Sequence, residues 1–214
     1  MLFRARALLV DIDGTLVDST AAVVASWTTW AAGRRLDAEE ILRVCHGRRS
    51  QDTVAMFLPA EQVAPATREL EQLELAALDG VSALPGADAL LRELPSQRWA
   101  GVTSGSQALM RARLAAAGLP VPAVLIAAEN VTEGKPDPEG YLTASAALGY
   151  DIVDCLVIED SPAGIAAGRA AGARTVAVAT SHDAAELSGA DIVVPDLTCC
   201  AVELRTDHVL LTAE

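Results

Sequence analysis

From residue 86 onward the chain alternates, with little interruption, between short apolar runs and segments of roughly ten residues rich in alanine: "ADALLREL", "RWAGVTSG", "QALMRARLAAAG", "AVLIAAEN", "PEGYLTASAALG", "DCLVIEDS", "PAGIAAGRAAG", "RTVAVAT", "AAELSGA" and "DIVVPDL". The runs are too short for helices and the alanine-rich stretches too long for strands. This rhythm restricts the fold to α/β, a doubly wound parallel sheet with helices on both faces. One further strand, "ALLV" at 7–10, precedes it. Between that strand and residue 86 lies a succession of helical patterns, "STAAVVASWTTWAAG", "DAEEILRVCHG", "SQDTVAMFLPA" and "APATRELEQLELAALDG", with no strand among them. Ser19 or Thr20 and Asp37 are expected to begin helices, and Gly33, Gly47 and Gly80 to end them. The organisation predicted is one core, residues 1–16 and 86–214, split by an all-helical insert over 17–85, with Pro85-Gly86 at the return crossing. The final "CCAVELRTDHVLLTAE" reads as a helix followed by a terminal strand.

At 214 residues this is enough chain for one core and its insert. The formal charge of −13 argues against a nucleic-acid-binding surface, which needs clustered Lys and Arg. A small anionic ligand would need local compensation from a metal, helix N-termini or a few placed cations. Cys45, Cys155, Cys199 and Cys200 lack C-x-x-C spacing and are too few for a disulfide scaffold, so reduced thiols are expected. The first apolar stretch is very short and runs into acids, which predicts neither a signal peptide nor a membrane span. A soluble, cytoplasmic protein, monomeric or a weak homodimer, is the expectation.

In an open parallel sheet, ligands bind beyond the carboxyl ends of the strands. Four polar clusters fall there: Asp11 and Asp13; Thr103-Ser104-Gly105-Ser106; Lys135-Pro136-Asp137; and Glu159-Asp160-Ser161. Together they supply carboxylates for a hard cation, hydroxyls with freely turning backbone N–H groups, and one lysine. Mg²⁺ takes carboxylates and is commonly completed by a substrate phosphate, so the set suits a phosphoryl group. Ser106 is also a natural N-cap for the helix that follows.

These segments, "DIDGTLVDS", "GVTSGS", "GKPDP" and "VIEDSPAGI", resemble in order the four motifs of the haloacid dehalogenase (HAD) superfamily, and the insert resembles that family's helical C1 cap. The resemblance covers essentially the whole chain. It implies a Rossmann-like HAD core and makes Asp11 a nucleophile and Asp13 a general acid and base. Lys135 would neutralise developing charge, while the Thr103 hydroxyl and the Ser104 N–H would bind the phosphoryl oxygens beside Gly14 and Thr15. Mg²⁺ would be held by Asp11, the Asp13 carbonyl and Asp160, with Glu159 acting through water. Asp18 and Ser19 would support the start of the insert.

The segments "CHGRRS", "GVSALPGA" and "VTSGS" are similar to those of sugar phosphatases acting on hexose, hexitol or deoxyhexose phosphates, and of related glycerol phosphatases. On this resemblance the substrate is a small phosphorylated sugar or polyol. Arg48 and Arg49, with His46, either reach it from the insert or form a solvated turn. Trp27 and Trp30, at helical spacing, read as core of the insert. Two other readings remain open. A beta-phosphoglucomutase-like mutase shares all four motifs, but such enzymes resemble one another in a histidine on the first cap helix that "STAAVVASW" lacks. A non-enzymatic phospho-receiver module uses a similar acidic cluster, yet would not need the insert.

Overall fold

The computed structural model describes residues 1–214. A six-stranded parallel sheet is built from β2 (Ala7–Val10), β5 (Trp99–Val102), β6 (Leu125–Ile126), β7 (Cys155–Glu159), β8 (Arg174–Val178) and β9 (Ile192–Val194), in the order β6-β5-β2-β7-β8-β9. The chain leaves β2 for β5 on one side and later fills β7 on the other. Asp11 therefore follows the strand at which the winding reverses, where an open α/β sheet has its crevice.

The sheet is covered on both faces, as its uninterrupted apolar strands require. Leu8, Val10, Leu156, Ile158, Val176 and Val178 point to one side, into the core shared with α5 (Ala87–Arg92) and α6 (Gln107–Ala116). Ala7, Leu9, Ala100 and Val157 point to the other, against α7 (Glu139–Leu148) and α8 (Pro162–Ala171).

The insert departs and returns through a two-strand ribbon, β3 (Val17–Asp18) paired antiparallel with β4 (Ser82–Ala83). Between them run α1 (Thr20–Arg34), α2 (Ala38–Cys45), α3 (Ser50–Phe57) and α4 (Ala60–Ala76). Their apolar faces close on a core of their own that includes Trp27, Trp30, Ile41, Val54 and Leu70. Trp27 and Trp30 meet edge to face, with ring centroids 5.4 Å apart, and the Trp30 indole N–H donates to the Ala66 carbonyl. Asp37 caps α2 as expected, accepting from the Glu39 and Glu40 N–H groups. Ser19 stands before α1 but makes no cap bond, because its hydroxyl donates to Asp13 instead. Gly33 does not end α1. Arg34 continues the helix, held by Glu69 and the face of Trp30, and Arg35 takes the left-handed position at φ +58°.

Two expectations at the C-terminal end are corrected. "AAELSGA" forms turns, its buried Leu187 packed against Ile165 and Ala177, with Gly189, two residues on, too weak a helix former to extend one. The segment from Cys200 is a strand where a helix was expected: β10 (Cys200–Leu204) pairs with β11 (Val209–Ala213), which pairs in turn with β1 (Leu2–Ala5), a strand absent from the sequence reading. In β11, Val209, Leu211 and Ala213 alternate inward, and cross-strand pairing overrides the weak helical preference of "AVEL". The four cysteines are free thiols, and no helix is long and apolar enough to cross a membrane.

Gly86 fixes the return to the core: at φ +85°, a Cβ there would lie 2.3 Å from the Leu197 carbonyl carbon. Gly149 is equally left-handed but faces open space. Gly86→Ala is expected to cost about 3 kcal/mol or more, and Gly149→Ala about 1 kcal/mol, read from denaturant midpoints. Equal losses would show that backbone conformation alone, not contact with Leu197, sets the requirement.

Candidate active site

The Asp11 N–H donates to the Ile158 carbonyl, carrying the β2–β7 ladder one residue past the strand. The chain then turns sharply, with the Leu16 and Val17 N–H groups both returning to the Ile12 carbonyl. Gly14 is required here twice over: its φ is +84°, and an added Cβ would fall 2.1 Å from Asp160 Oδ2. This close approach brings the first and last of the four clusters together.

Lys135 lies between two of the carboxylates. Its Nζ donates to Asp11 Oδ1, to Glu159 Oε1 and, at 3.3 Å, to the Val102 carbonyl. Burial alone would lower the lysine pKa, but Asp11 and Glu159 outweigh it and hold the ammonium above its usual range. Glu159 is fully buried and fully used. Its Oε1 also accepts from Tyr141 Oη at 2.8 Å, and its Oε2 accepts from the Asp160 and Ser161 N–H groups and the Ser161 hydroxyl. Burial would raise its pKa, yet Lys135 and these donors keep it low and ionised.

Asp11 and Asp160 are less well compensated. Burial holds the Asp11 carboxyl well above its ordinary value against the pull of Lys135. Burial, followed by the nearby Glu159 charge, pushes Asp160 up to about 7, although the Ser181 and Thr15 hydroxyls donate to it. Ligand atoms of Asp11, Glu159 and Asp160 all lie within 4.8 Å of one another, a donor set of hard oxygens suited to a divalent cation. With every lone-pair direction of Glu159 already taken, Asp11 and Asp160 are the carboxylates with capacity for one. Glu159 itself holds Lys135 and the loop backbone.

Asp13 turns away from this cluster. Its Oδ1 accepts from Ser19 Oγ at 2.8 Å and its Oδ2 from Arg113 at 2.5 Å. Thr103 N–H donates to the Ile126 carbonyl, and Thr103 Oγ1 accepts from the Gly105 N–H at 3.1 Å. The Ser104 hydroxyl donates to the Gly47 carbonyl of the insert, and Ser106 caps α6. A cavity of about 240 Å³ opens between core and insert, lined among others by Asp11, Asp13, Thr103, Ser104, Arg48 and Asp160.

The two arginines of the insert part company. Arg48 is exposed and lines this cavity. Arg49 is buried outside it, expected as a substrate contact but consumed by Asp52 at 2.7 Å and by the Val131 and Thr132 carbonyls. It ties the insert to the loop that carries Lys135.

Arg113, Glu74 and Tyr141 were missed in the sequence. Arg113 shares the buried face of α6 with Leu109, Met110 and Leu114, and Glu74 follows Ala66 and Leu70 along the buried face of α4. A charge at an apolar position of a helical repeat was the available signal.

A sequence family described as haloacid dehalogenase-like hydrolase matches residues 5–172. The chain is 41% identical over 199 residues to hexitol phosphatase A of Escherichia coli, covering 91% of this chain and 92% of that protein. It is 36% identical to 2-deoxyglucose-6-phosphate phosphatase 1 of Saccharomyces cerevisiae, covering 96% and 94%. Among solved structures, a hydrolase from Pseudomonas syringae superposes with a TM-score of 0.82 at 27% identity, over 90% of this chain and 94% of that one.

Two outcomes follow from the geometry. Arg49→Ala is expected to destabilise the fold by about 3 kcal/mol, since it strands buried carbonyls and half of an ion pair, while Arg48→Ala stays within about 0.5 kcal/mol; chemical denaturation of both variants decides this. Between the ordinary aspartate range and about 7, the folded chain keeps an Asp160 proton that the unfolded chain has released, so this group subtracts stability as pH rises through that window. In EDTA, wild-type melting temperature relative to Asp160→Asn is therefore expected to fall between about pH 4 and about pH 7. A pH-independent difference would remove Asp160 from that titration.

Proposed function

Because the chain belongs to the haloacid dehalogenase-like hydrolase family, we propose that it is a magnesium-dependent phosphatase of small sugar or polyol phosphates, working through an aspartyl phosphate. The observation that carries this reading is the buried Asp11 at the sheet's reversal point, bonded to Lys135 and facing the same cavity as Asp13 and Thr103. The names of the relatives support the substrate class.

Asp11 Oδ forms a bond to phosphorus as the bond from phosphorus to the substrate's ester oxygen breaks. Asp13 swings from Ser19 and Arg113, takes up a proton from water as it leaves the guanidinium, and passes it to that departing oxygen, releasing the alcohol. A water molecule then loses a proton to Asp13 and bonds to phosphorus as the Asp11 oxygen leaves, freeing inorganic phosphate. The Thr103 hydroxyl and the Ser104 N–H hold the phosphoryl oxygens, Gly14 lets the backbone approach them, and Lys135 balances the charge that accumulates there. Mg²⁺ would be held by Asp11, the Asp13 carbonyl and Asp160, and would supply further neutralisation of the substrate dianion. The helices over 17–85 act as a cap on the core, and Arg48 reaches the substrate from it.

The test is phosphate release from hexitol and hexose 6-phosphates, with Mg²⁺ or with EDTA, by wild type and Asp11→Asn. Release is expected only with Mg²⁺, and to drop by about a thousandfold or more in Asp11→Asn while circular dichroism stays native. Full turnover by a clean Asp11→Asn preparation would remove Asp11 as the nucleophile.

A further inference from the structure

Arg113 and Glu74 face each other across the junction of core and insert. Arg113 NH2 donates to Glu74 Oε1 at 3.1 Å, its NH1 donates to Asp13, and both residues line the cavity that holds Asp11 and Asp160. Arg113 is 2% exposed, yet its Nε–H has no partner within the protein. Glu74 is 5% exposed and is bonded through one oxygen only. A purely structural ion pair so deeply buried would be expected to satisfy its remaining donors and acceptors. This one keeps a second carboxylate oxygen on Glu74 and second N–H groups on the terminal nitrogens of Arg113, in residues that line the cavity.

We propose that Arg113 and Glu74 form the subsite that selects the substrate's alcohol portion, binding the hydroxyl groups of a polyol or sugar chain whose phosphate lies at Asp11. This deepens the phosphatase reading and rests on it. A hydroxyl is donor and acceptor at once, so it can accept from a guanidinium N–H and donate to the free carboxylate oxygen. The local charge decides against other groups. Arg113 is already balanced by Asp13 and Glu74, so the subsite carries a surplus of negative charge and repels a second phosphate or a carboxylate. Burial pushes the Glu74 carboxyl up in spite of Arg113, as an under-satisfied acid behaves. Arg113 also touches Asp13, so occupation of the subsite is sensed one residue away from the proton donor.

The experiment compares wild type with Glu74→Met in steady-state phosphate release from a hexitol 6-phosphate and from p-nitrophenyl phosphate, which offers the same phosphate without hydroxyl groups. The ratio of kcat/KM for the hexitol ester to that for the aryl ester is expected to fall about tenfold or more, chiefly through KM for the hexitol ester. A general loss of structure would lower both activities and leave the ratio in place. Should Glu74→Met fail to fold, the isosteric Glu74→Gln is measured instead, with at least about a threefold fall expected in the same ratio. A folded variant with the ratio unchanged overturns the subsite while the phosphatase reading stands. No phosphate release by wild type from either ester, with Mg²⁺ present, overturns both.

Discussion

The bonds of Lys135 to Asp11 and Glu159 set the terms for the rest of the site. Three carboxylates are taken out of water within a few ångströms of one another, against one resident ammonium. Such crowding is costly unless each charge is paired or hydrogen-bonded. The protein resolves it unequally. Glu159 receives every donor the loop and Tyr141 offer and becomes a fixed anion, whereas Asp11 and Asp160 retain a deficit that burial makes large. A surplus of negative charge in a cavity is what a divalent cation would answer, and the strands β2 and β7 are the rigid elements that prevent the carboxylates from moving apart.

The helical insert meets the core through apolar residues near the ribbon, Val17, Ala22 and Val81, and through a set of polar contacts beyond it. Arg49 binds loop carbonyls, Ser104 binds Gly47, Ser106 meets Glu71, and Arg113 meets Glu74. The apolar residues of the insert are meanwhile largely turned inward on Trp27 and Trp30. The half-buried hydrogen bonds among these, such as Ser104 to Gly47, exchange with water at smaller net cost than the apolar contacts do.

The sheet was readable because its signals are local. Four-residue apolar runs such as "ALLV" admit few structures, and an acid directly after one lies at the sheet's edge wherever the helices go. The same holds for Ser106 and Asp37, whose capping depends on neighbours two or three residues away. What escaped depended on partners distant in the chain. β1 and β10 exist because β11 lies between them, and nothing within "CCAVEL" announces that pairing. Arg49 looks identical to Arg48 in sequence, and only the fold of residues 131–132 decides which is buried. Glu159 and Asp160 are adjacent acids whose tasks diverge because Tyr141 stands over one of them.

The ribbon of β3 and β4 places Val17 beside Ala83 and Asp18 beside Ser82. The two points where the insert leaves and rejoins the core are thus already neighbours. Whatever connects them imposes no separation on the sheet and no change in its strand order. The insert thus hangs from the core by a two-residue bridge, and its helices meet the strand ends from above without altering the sheet that carries them.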